Sequence, residues 1–382
     1  MRFIHTADWH IGKKLHGYDL LEDQRAIIDQ IIAIALEEKV AAIVIAGDLY
    51  DRSVPAVDAV KLLNEKIAEI NLTNELPLLA ISGNHDSPTR LETGSQWFQQ
   101  TRFYLSTSIE QSLHPVEFDD TQFFLLPYFE PIEARLFFDE PLMKISDSVQ
   151  RVIEEMTKHF DSSKKQVLVT HFFVAGSSQT DSETKIQVGG LDSVPTTAFA
   201  PFDRVVLGHL HANTALKHPK IGYSGSPLKF SLSERTNQKG VYLVDTVKDT
   251  NEFIPLTPKR DIQQLTASFE ELIDPVFYRD LNREAFWHFL LTDRAVISNM
   301  MNQLRKIYPF ILSVERLNGR EQTKKRQLTT RETDPQTLIS HFFQEMTGDS
   351  LLDAQTKWIE QGLNEAFVVE KREKSCNRSL YK

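Results

Sequence analysis

Ala42-Ile43-Val44-Ile45-Ala46-Gly47-Asp48-Leu49-Tyr50-Asp51 is a short β-branched run that stops at a glycine and meets an acid at once. So short a run, apolar on both alternating faces, reads as a strand buried on both sides, as in a parallel sheet covered by helices. The flanks agree. Upstream, Ile27, Ile28, Ile31, Ile32, Ala35 and Leu36 share one face of a helix predicted over Glu22 to Lys39. Downstream, a helix predicted from about Ala56 to Ile70 leads to the run Leu78-Leu79-Ala80-Ile81. Val167-Leu168-Val169 and Val205-Val206-Leu207 continue the alternation, which makes the fold class α/β, a layered sandwich. Phe103 to Phe129 and Ile221 to Val247 read as further strands.

The residues just behind each run carry the chemistry. Asp8-Trp9-His10 ends the first, Gly47-Asp48 the second, and Gly83-Asn84-His85-Asp86 the third after Ser82. His171 ends the fourth, and Gly208-His209-Leu210-His211 the fifth. In open α/β sheets that carboxyl edge is where ligands bind. Asp8 with His10, and His209 with His211, are two residues apart, which aims each pair one way if the backbone is extended. Carboxylate, imidazole and amide groups without thiolate suit a divalent ion of the Mn²⁺, Fe²⁺ or Zn²⁺ type. Asp8, His10, Asp48, Asn84, His171, His209 and His211 are too many for one ion with an open position, and suit two ions sharing a carboxylate. An isolated Asp-X-His or Gly-His-X-His is more often structural and a lone Gly-Asn-His-Asp is functional about as often as not; five blocks in order, each behind a strand, are not structural. His5, inside the first run, reads as a packed core residue. His16, His114, His159, His218, His288 and His341 have no such context and read as ordinary surface or structural residues.

The rest of the chain sets bounds. Its 382 residues allow two or three domains, and 41% hydrophobic with 25% charged residues is ordinary for a globular protein. The single cysteine, Cys376, can form neither an internal disulfide nor a cysteine-based zinc site. No apolar leader or membrane-length run is present, so a cytoplasmic location is expected. A net charge of −10 argues at first against a nucleic-acid partner, although Ser313 to Thr333 holds six basic against three acidic residues. Pro255 to Pro258 marks a boundary. Beyond it, Ala285–Leu291 (strand), Ala295–Ile307 (helix) and Phe310–Arg316 (strand) predict a small α+β module, and Asn318 to Thr333 a linker or exposed loop. Asp334 as N-cap, Pro335 and the stop at Gly348 bracket a helix with a Leu338, Ile339, Phe342, Phe343, Met346 stripe. Ser350 with Asp353 resembles a capping box for a second. The expected domains are 1–258, 259–333 and 334–382.

The ordered set resembles the calcineurin-like metallophosphoesterases, whose pattern is Asp-X-His, Gly-Asp-X-X-Asp, Gly-Asn-His-Asp/Glu, His and Gly-His-X-His. Here Gly47-Asp48-Leu49-Tyr50-Asp51 completes the second block. Thr6-Ala7-Asp8-Trp9-His10-Ile11-Gly12 and Ser82-Gly83-Asn84-His85-Asp86-Ser87-Pro88 look like the SbcD nuclease branch. So do Asp181-Ser182-Glu183 with Val188-Gly189-Gly190, Tyr223 to Leu228, and Pro255 to Arg260. Ser177-Ser178 departs from that branch where glycine is expected. The resemblance implies one ion on Asp8, His10, Asp48 and His211 and another on Asp48, Asn84, His171 and His209, with Mn²⁺ expected in both places. It implies His85 as the catalytic residue on the scissile phosphate, with Asp51 and Asp86 orienting imidazoles and backbone behind the ligands.

The same resemblance implies a double-strand 3′–5′ exonuclease and single-strand and hairpin endonuclease acting in DNA repair, recombination and replication, associated with the nucleoid. The module would cap the site and select DNA. The C-terminal helices would bind a coiled-coil ATPase partner of the SbcC type, in a heterotetramer built on a homodimer, with Trp97 and Phe98 as candidate contacts. Two other readings compete: a phosphoprotein phosphatase or cyclic-nucleotide phosphodiesterase of the same fold, and a catalytically dead scaffold. Asp86 after His85 and the extra C-terminal modules weigh against the first, and the intact ligand positions against the second.

Overall fold

The computed structural model describes residues 1–183, 193–293, 295, 297–317, 335–347 and 350–363. They fall into two compact units, Met1–Leu317 and Asn318–Lys382.

The fold grows from strands with two apolar faces. Strands β1 (Arg2–Thr6), β4 (Ala42–Ile45), β5 (Leu78–Ile81) and β6 (Phe103–Ser106) pair in parallel. β12 (Gly240–Asp245) and β13 (Thr250–Pro255) add antiparallel beside β1, giving the order β13-β12-β1-β4-β5-β6. A small hairpin, β2 (Lys14–Leu15) and β3 (Tyr18–Asp19), follows β1. The second sheet is β11-β10-β9-β8-β7, built from Ile221–Tyr223, Arg204–Leu207, Lys165–Thr170, Thr121–Leu126 and Val116–Glu117. It is parallel except for β7, antiparallel at the edge.

Strand alternation sorts the residues into three apolar layers. Phe3, Val44, Leu79, Ile81, Phe123, Leu125, Val167, Val169 and Val206 meet between the sheets, with Phe3 edge-on to Phe123 at 5.1 Å. Ile4, Ile43, Ile45 and Leu78 face helices α1 (Leu21–Glu37) and α2 (Val57–Ala68). Phe124, Leu126, Leu168 and Leu207 face the helix Ile145–Thr157, whose Val149, Val152, Ile153 and Met156 are buried. The result is helix, sheet, sheet, helix, and it places every parallel strand's carboxyl end along one rim.

Beyond the boundary, β14 (Ile262–Ala267), β15 (Phe286–Leu291) and β16 (Ile311–Arg316) form a parallel three-stranded sheet. Trp287, Phe289, Leu272, Leu304 and Tyr308 fill its core. The helix expected over Ala295–Ile307 is shorter, Met300–Arg305, and starts behind a left-handed Asn299 at φ 58°. The module belongs to the first unit. Ile262, Phe286 and Leu312 share an apolar cluster with Leu20, Leu228 and Leu256. Arg260 pairs with buried Asp23, 2.9 Å from Nε to Oδ1, and stacks over Phe286 and Phe310.

In the second unit, helices Pro335–Thr347 and 353–363 are tied by Gln336 to Glu360 at 2.8 Å. Phe342 and Trp358 are exposed there. The second helix starts at 353, so Ser350 does not cap it; Gln355 Oε1 instead accepts the Leu352 N–H at 2.9 Å. Asn318–Thr333, Asp334, Gly348, Val188–Gly190 and Cys376 lie outside the described residues.

Candidate metal centre

Five loops leave the rim and continue to pair as they go. The Asp8 N–H donates to the Gly47 carbonyl (3.0 Å) and the His10 N–H to the Asp48 carbonyl (2.9 Å), so the first two loops run side by side. Gly208 N–H reaches Thr170 O at 3.1 Å, joining the fourth and fifth. The spacing predicted extended backbone for the paired ligands, and here the structure differs. Asp8, His10, Asp48 and His209 all have positive φ, at 53°, 43°, 52° and 98°. Left-handed backbone is costly for side-chain-bearing residues and persists where surroundings over-determine it. The surroundings do so: the Asp8 carboxylate accepts the His209 N–H at 2.9 Å, and Asp48 Oδ1 accepts the His85 N–H at 2.9 Å. Gly208 is required for packing, since a Cβ there would collide with the Ala46 carbonyl oxygen.

The loops bring all seven expected ligand residues together, and six of them are buried. Asp8, His10 and His211 present ligand atoms within 4.8 Å of one another, as do Asp8, Asp48 and His171. His171 Nδ1 donates to the Ala46 carbonyl at 2.8 Å, so its Nε2 faces Asn84 Oδ1 (3.0 Å) and Asp48 Oδ2 (3.3 Å). Asn84 Oδ1 also lies 3.0 Å from His209 Nδ1. His10 Nε2 and His211 Nε2 face each other at 3.1 Å, where at most one proton fits.

This donor set fits divalent ions. Buried carboxylates and bare imidazole nitrogens converging without a lysine or arginine among them form an electron-rich point that needs positive charge. A proton can stand in: burial opposes it, but Asp48 and Asp8 raise the His171 pKa to about 9. Burial lowers His209 to about 3, helped by the neighbouring His171, and also drives His10 well down, which keeps both rings neutral as ligands must be. Burial pushes Asp8 up to about 6 against the pull of His171 and His211. Asp48 is held below the usual range although burial opposes it, because His171 and His10 flank it.

The remaining expected residues sit around this core. His85 is half-buried, its ring edge-on to His10 at 4.8 Å, with Nδ1 donating to the Asp51 carbonyl at 2.9 Å. Asp86 accepts backbone N–H groups of Leu49, Tyr50 and Gly83, locking the second loop to the third. Asp51, His10 and His85 also cluster, but Lys13 Nζ already neutralises Asp51 at 2.7 Å. His5 is buried on β1 and reaches Leu207 O at 3.1 Å, as a core histidine. Trp97 is 75% exposed, whereas Phe98 stacks on Phe103 at 4.9 Å.

Sequence reasoning missed three supports. Gln24 Nε2 donates to the carbonyls of Trp9 (3.1 Å) and His10 (2.7 Å), and its Oε1 accepts the Gly12 N–H. Phe230 packs edge-on against both His10 and His211 at 5.5 Å, sealing that side. Glu183 Oε1 accepts the His211 N–H at 2.6 Å. The Asp181-Ser182-Glu183 motif was the visible signal for the last; the others carry none.

Paired sheets whose strand ends converge on a carboxylate–imidazole–amide cluster define a metal-dependent phosphoesterase. Comparison with known proteins agrees: residues 1–213 match the calcineurin-like phosphoesterase family, and residues 258–347 the type 5 capsule protein repressor C-terminal domain. The SbcCD nuclease D subunit of Staphylococcus epidermidis is 35% identical over 97% of this chain and 100% of its own. That of Staphylococcus saprophyticus subsp. saprophyticus is 36% identical over 94% and 97%. A solved structure, TT1561 of Thermus thermophilus, has a TM-score of 0.40 at 11% identity, covering 66% of this chain and 98% of that one. The chain belongs to the calcineurin-like phosphoesterases and, within them, to the family of SbcCD nuclease D subunits. The phosphatase and cyclic-nucleotide readings are not favoured. Among the described residues no helix is long and apolar enough to cross a membrane.

Proposed function

We propose that the chain hydrolyses DNA phosphodiester bonds with two divalent ions, as the nuclease subunit of an SbcCD-type complex. The observation that carries this is the convergence of seven ligand side chains from five strand ends on one buried, cation-seeking point. Asp8, His10, Asp48 and His211 would hold one ion, and Asp48, Asn84, His171 and His209 would hold the other, with Mn²⁺ expected in both. When bound, such ions lower the pKa of a water nucleophile and offset charge on the phosphoryl oxygens. The chain's own residues do the rest. Asp48 is shared, with its Oδ1 already fixed by the His85 N–H. His85 gives its Nδ1–H to the Asp51 carbonyl, which turns Nε2 toward the site, where an Nε2–H would donate to the scissile phosphate and pass its proton to the departing oxygen. Asp86 fixes the loops that carry Asp48 and Asn84.

The nuclease domain is 1–258, the DNA-capping module with its basic linker 259–333, and the partner-binding region 334–382. Helices with exposed Phe342 and Trp358, and exposed Leu352 just before the second of them, suit a coiled-coil ATPase of the SbcC kind. The complex works on cytoplasmic, nucleoid DNA, and the homodimer and ATPase supply grip that a chain of charge −10 lacks. A Mn²⁺-dependent assay on end-labelled duplex and hairpin DNA, with and without a co-purified ATPase, tests this beside a cyclic nucleotide and a phosphopeptide. Cleavage of DNA alone is expected; turnover of phosphopeptide without DNA cleavage would overturn it.

A further inference from the structure

Behind one ligand lies a buried polar network that the reaction as described does not use. His211 is gripped at three points. Its N–H donates to Glu183 Oε1 (2.6 Å), its carbonyl accepts from Lys239 Nζ (2.8 Å), and its ring Nδ1 lies 2.6 Å from Ser182 Oγ. Ser182 Oγ in turn bonds Glu234 Oε1. Glu234 and Lys239 are a buried ion pair at 2.5 Å, and Lys239 places its third bond on Ser226 Oγ at 2.8 Å.

Proton counting fixes the direction of each bond. Glu234, paired with an ammonium, is a carboxylate and only accepts. A serine hydroxyl has one proton, and Ser182 gives it to Glu234. Toward His211, Ser182 Oγ can therefore only accept, so Nδ1 carries a proton, and in the neutral ring that a metal ligand must be, Nε2 is the bare nitrogen. That bare Nε2 is the atom facing His10 Nε2 at 3.1 Å. Glu234 itself stands 3.8 Å from Nδ1, too far to bond it, so the hydroxyl is the necessary link. His171 and His10 lack such a relay: His171 is set by the Ala46 carbonyl, and His10 Nδ1 is buried with no hydrogen-bond partner among the described residues.

We infer that Ser182, backed by the Glu234–Lys239 pair, is a positioning residue that holds His211 in its metal-binding tautomer and so sets the affinity of one ion and not the other. The inference rests on the two-ion reading above. It is tested on the full chain, stripped of metal, by titrating Mn²⁺ with calorimetry and following the spin-coupled pair by electron paramagnetic resonance, alongside melting of the metal-free protein. Wild type is expected to bind two ions per chain. Ser182→Ala is expected to weaken one by about 10- to 100-fold, to leave the other within about twofold, and to melt as wild type does without metal. Two unaltered affinities in Ser182→Ala would overturn the inference, as would equal weakening of both ions with a lowered metal-free melting temperature. Fewer than two ions in wild type would instead overturn the two-ion reading.

Discussion

Two regions of this chain use the same parallel-strand geometry to different ends. The paired sheets deliver Asp8, Asp48, Asn84, His171 and His209 from the carboxyl ends of β1, β4, β5, β9 and β10. The module's strands β14, β15 and β16 are parallel too, yet their ends carry a helix-capping Ser268, an Asp293 that binds the Phe269 N–H, and Arg316. The difference lies in the backbone. Around the cluster four ligands adopt left-handed conformations held by the carboxylates of Asp8 and by neighbouring loops, whereas the module's positive-φ residue, Asn299, starts a helix. A sheet edge is thus a place where a site can be built, and strained, over-determined turns are what build it.

The strongest way to break the comparison is Asp48→Ala. Removing the shared carboxylate should release both ions and cost several kcal/mol of transition-state stabilisation, or about a thousandfold or more in cleavage. Metal analysis with single-turnover cleavage reads both, and two retained ions would refute the bridging role. His85→Ala comes next. It should keep both ions, because His85 is not among the ligands, yet lose about 10²- to 10⁴-fold in rate. Wild-type cleavage in that variant would remove His85 from the chemistry.

The other side of the comparison predicts stability without metal. Phe289 is fully buried among Trp287 and Tyr308, so Phe289→Ala should cost about 3–5 kcal/mol. Because that cluster is distinct from the inter-sheet core, Mn²⁺ stoichiometry should stay unchanged in native buffer. Urea unfolding with parallel metal titration checks this; loss of an ion would show that the module helps to form the site.

The sequence made the paired sheets legible because buried parallel strands read as continuous Val/Ile/Leu runs, and the ligands legible because each follows such a run. β14 went unread since Gln263, Gln264 and Thr266 make it polar at the module's edge. The helix Ile145–Thr157 had the spacing to be found, in Val149, Val152, Ile153 and Met156, but no motif drew the eye to it. Asp8 and His10 were expected on extended backbone because a period-two pattern cannot report the sign of φ. Phe230, Glu234 and Lys239 were invisible for another reason: the His10, Ser182 and His211 they support lie far off in sequence, and a lone Phe, Glu or Lys has no pattern.

Gln24 and Asp23 sharpen the comparison at its smallest scale, since adjacent residues on α1 serve the two regions. Asp23 holds Arg260 at the root of the module, and Gln24 holds the carbonyls of Trp9 and His10 in the metal loop. Gln24→Ala would strand two carbonyls and the Gly12 N–H, at a cost of about 1–3 kcal/mol. Part of that cost should fall on the left-handed His10 turn, which loses its support from α1. The expected outcome is a modest loss of melting temperature together with weaker binding of the ion held by His10, while the ion on His171 and His209 is spared. Equal weakening of both would mean that α1 braces the whole rim rather than one loop. Unchanged affinities with the same loss of stability would mean that the His10 turn is held by Asp8, Gly47 and Asp48 alone.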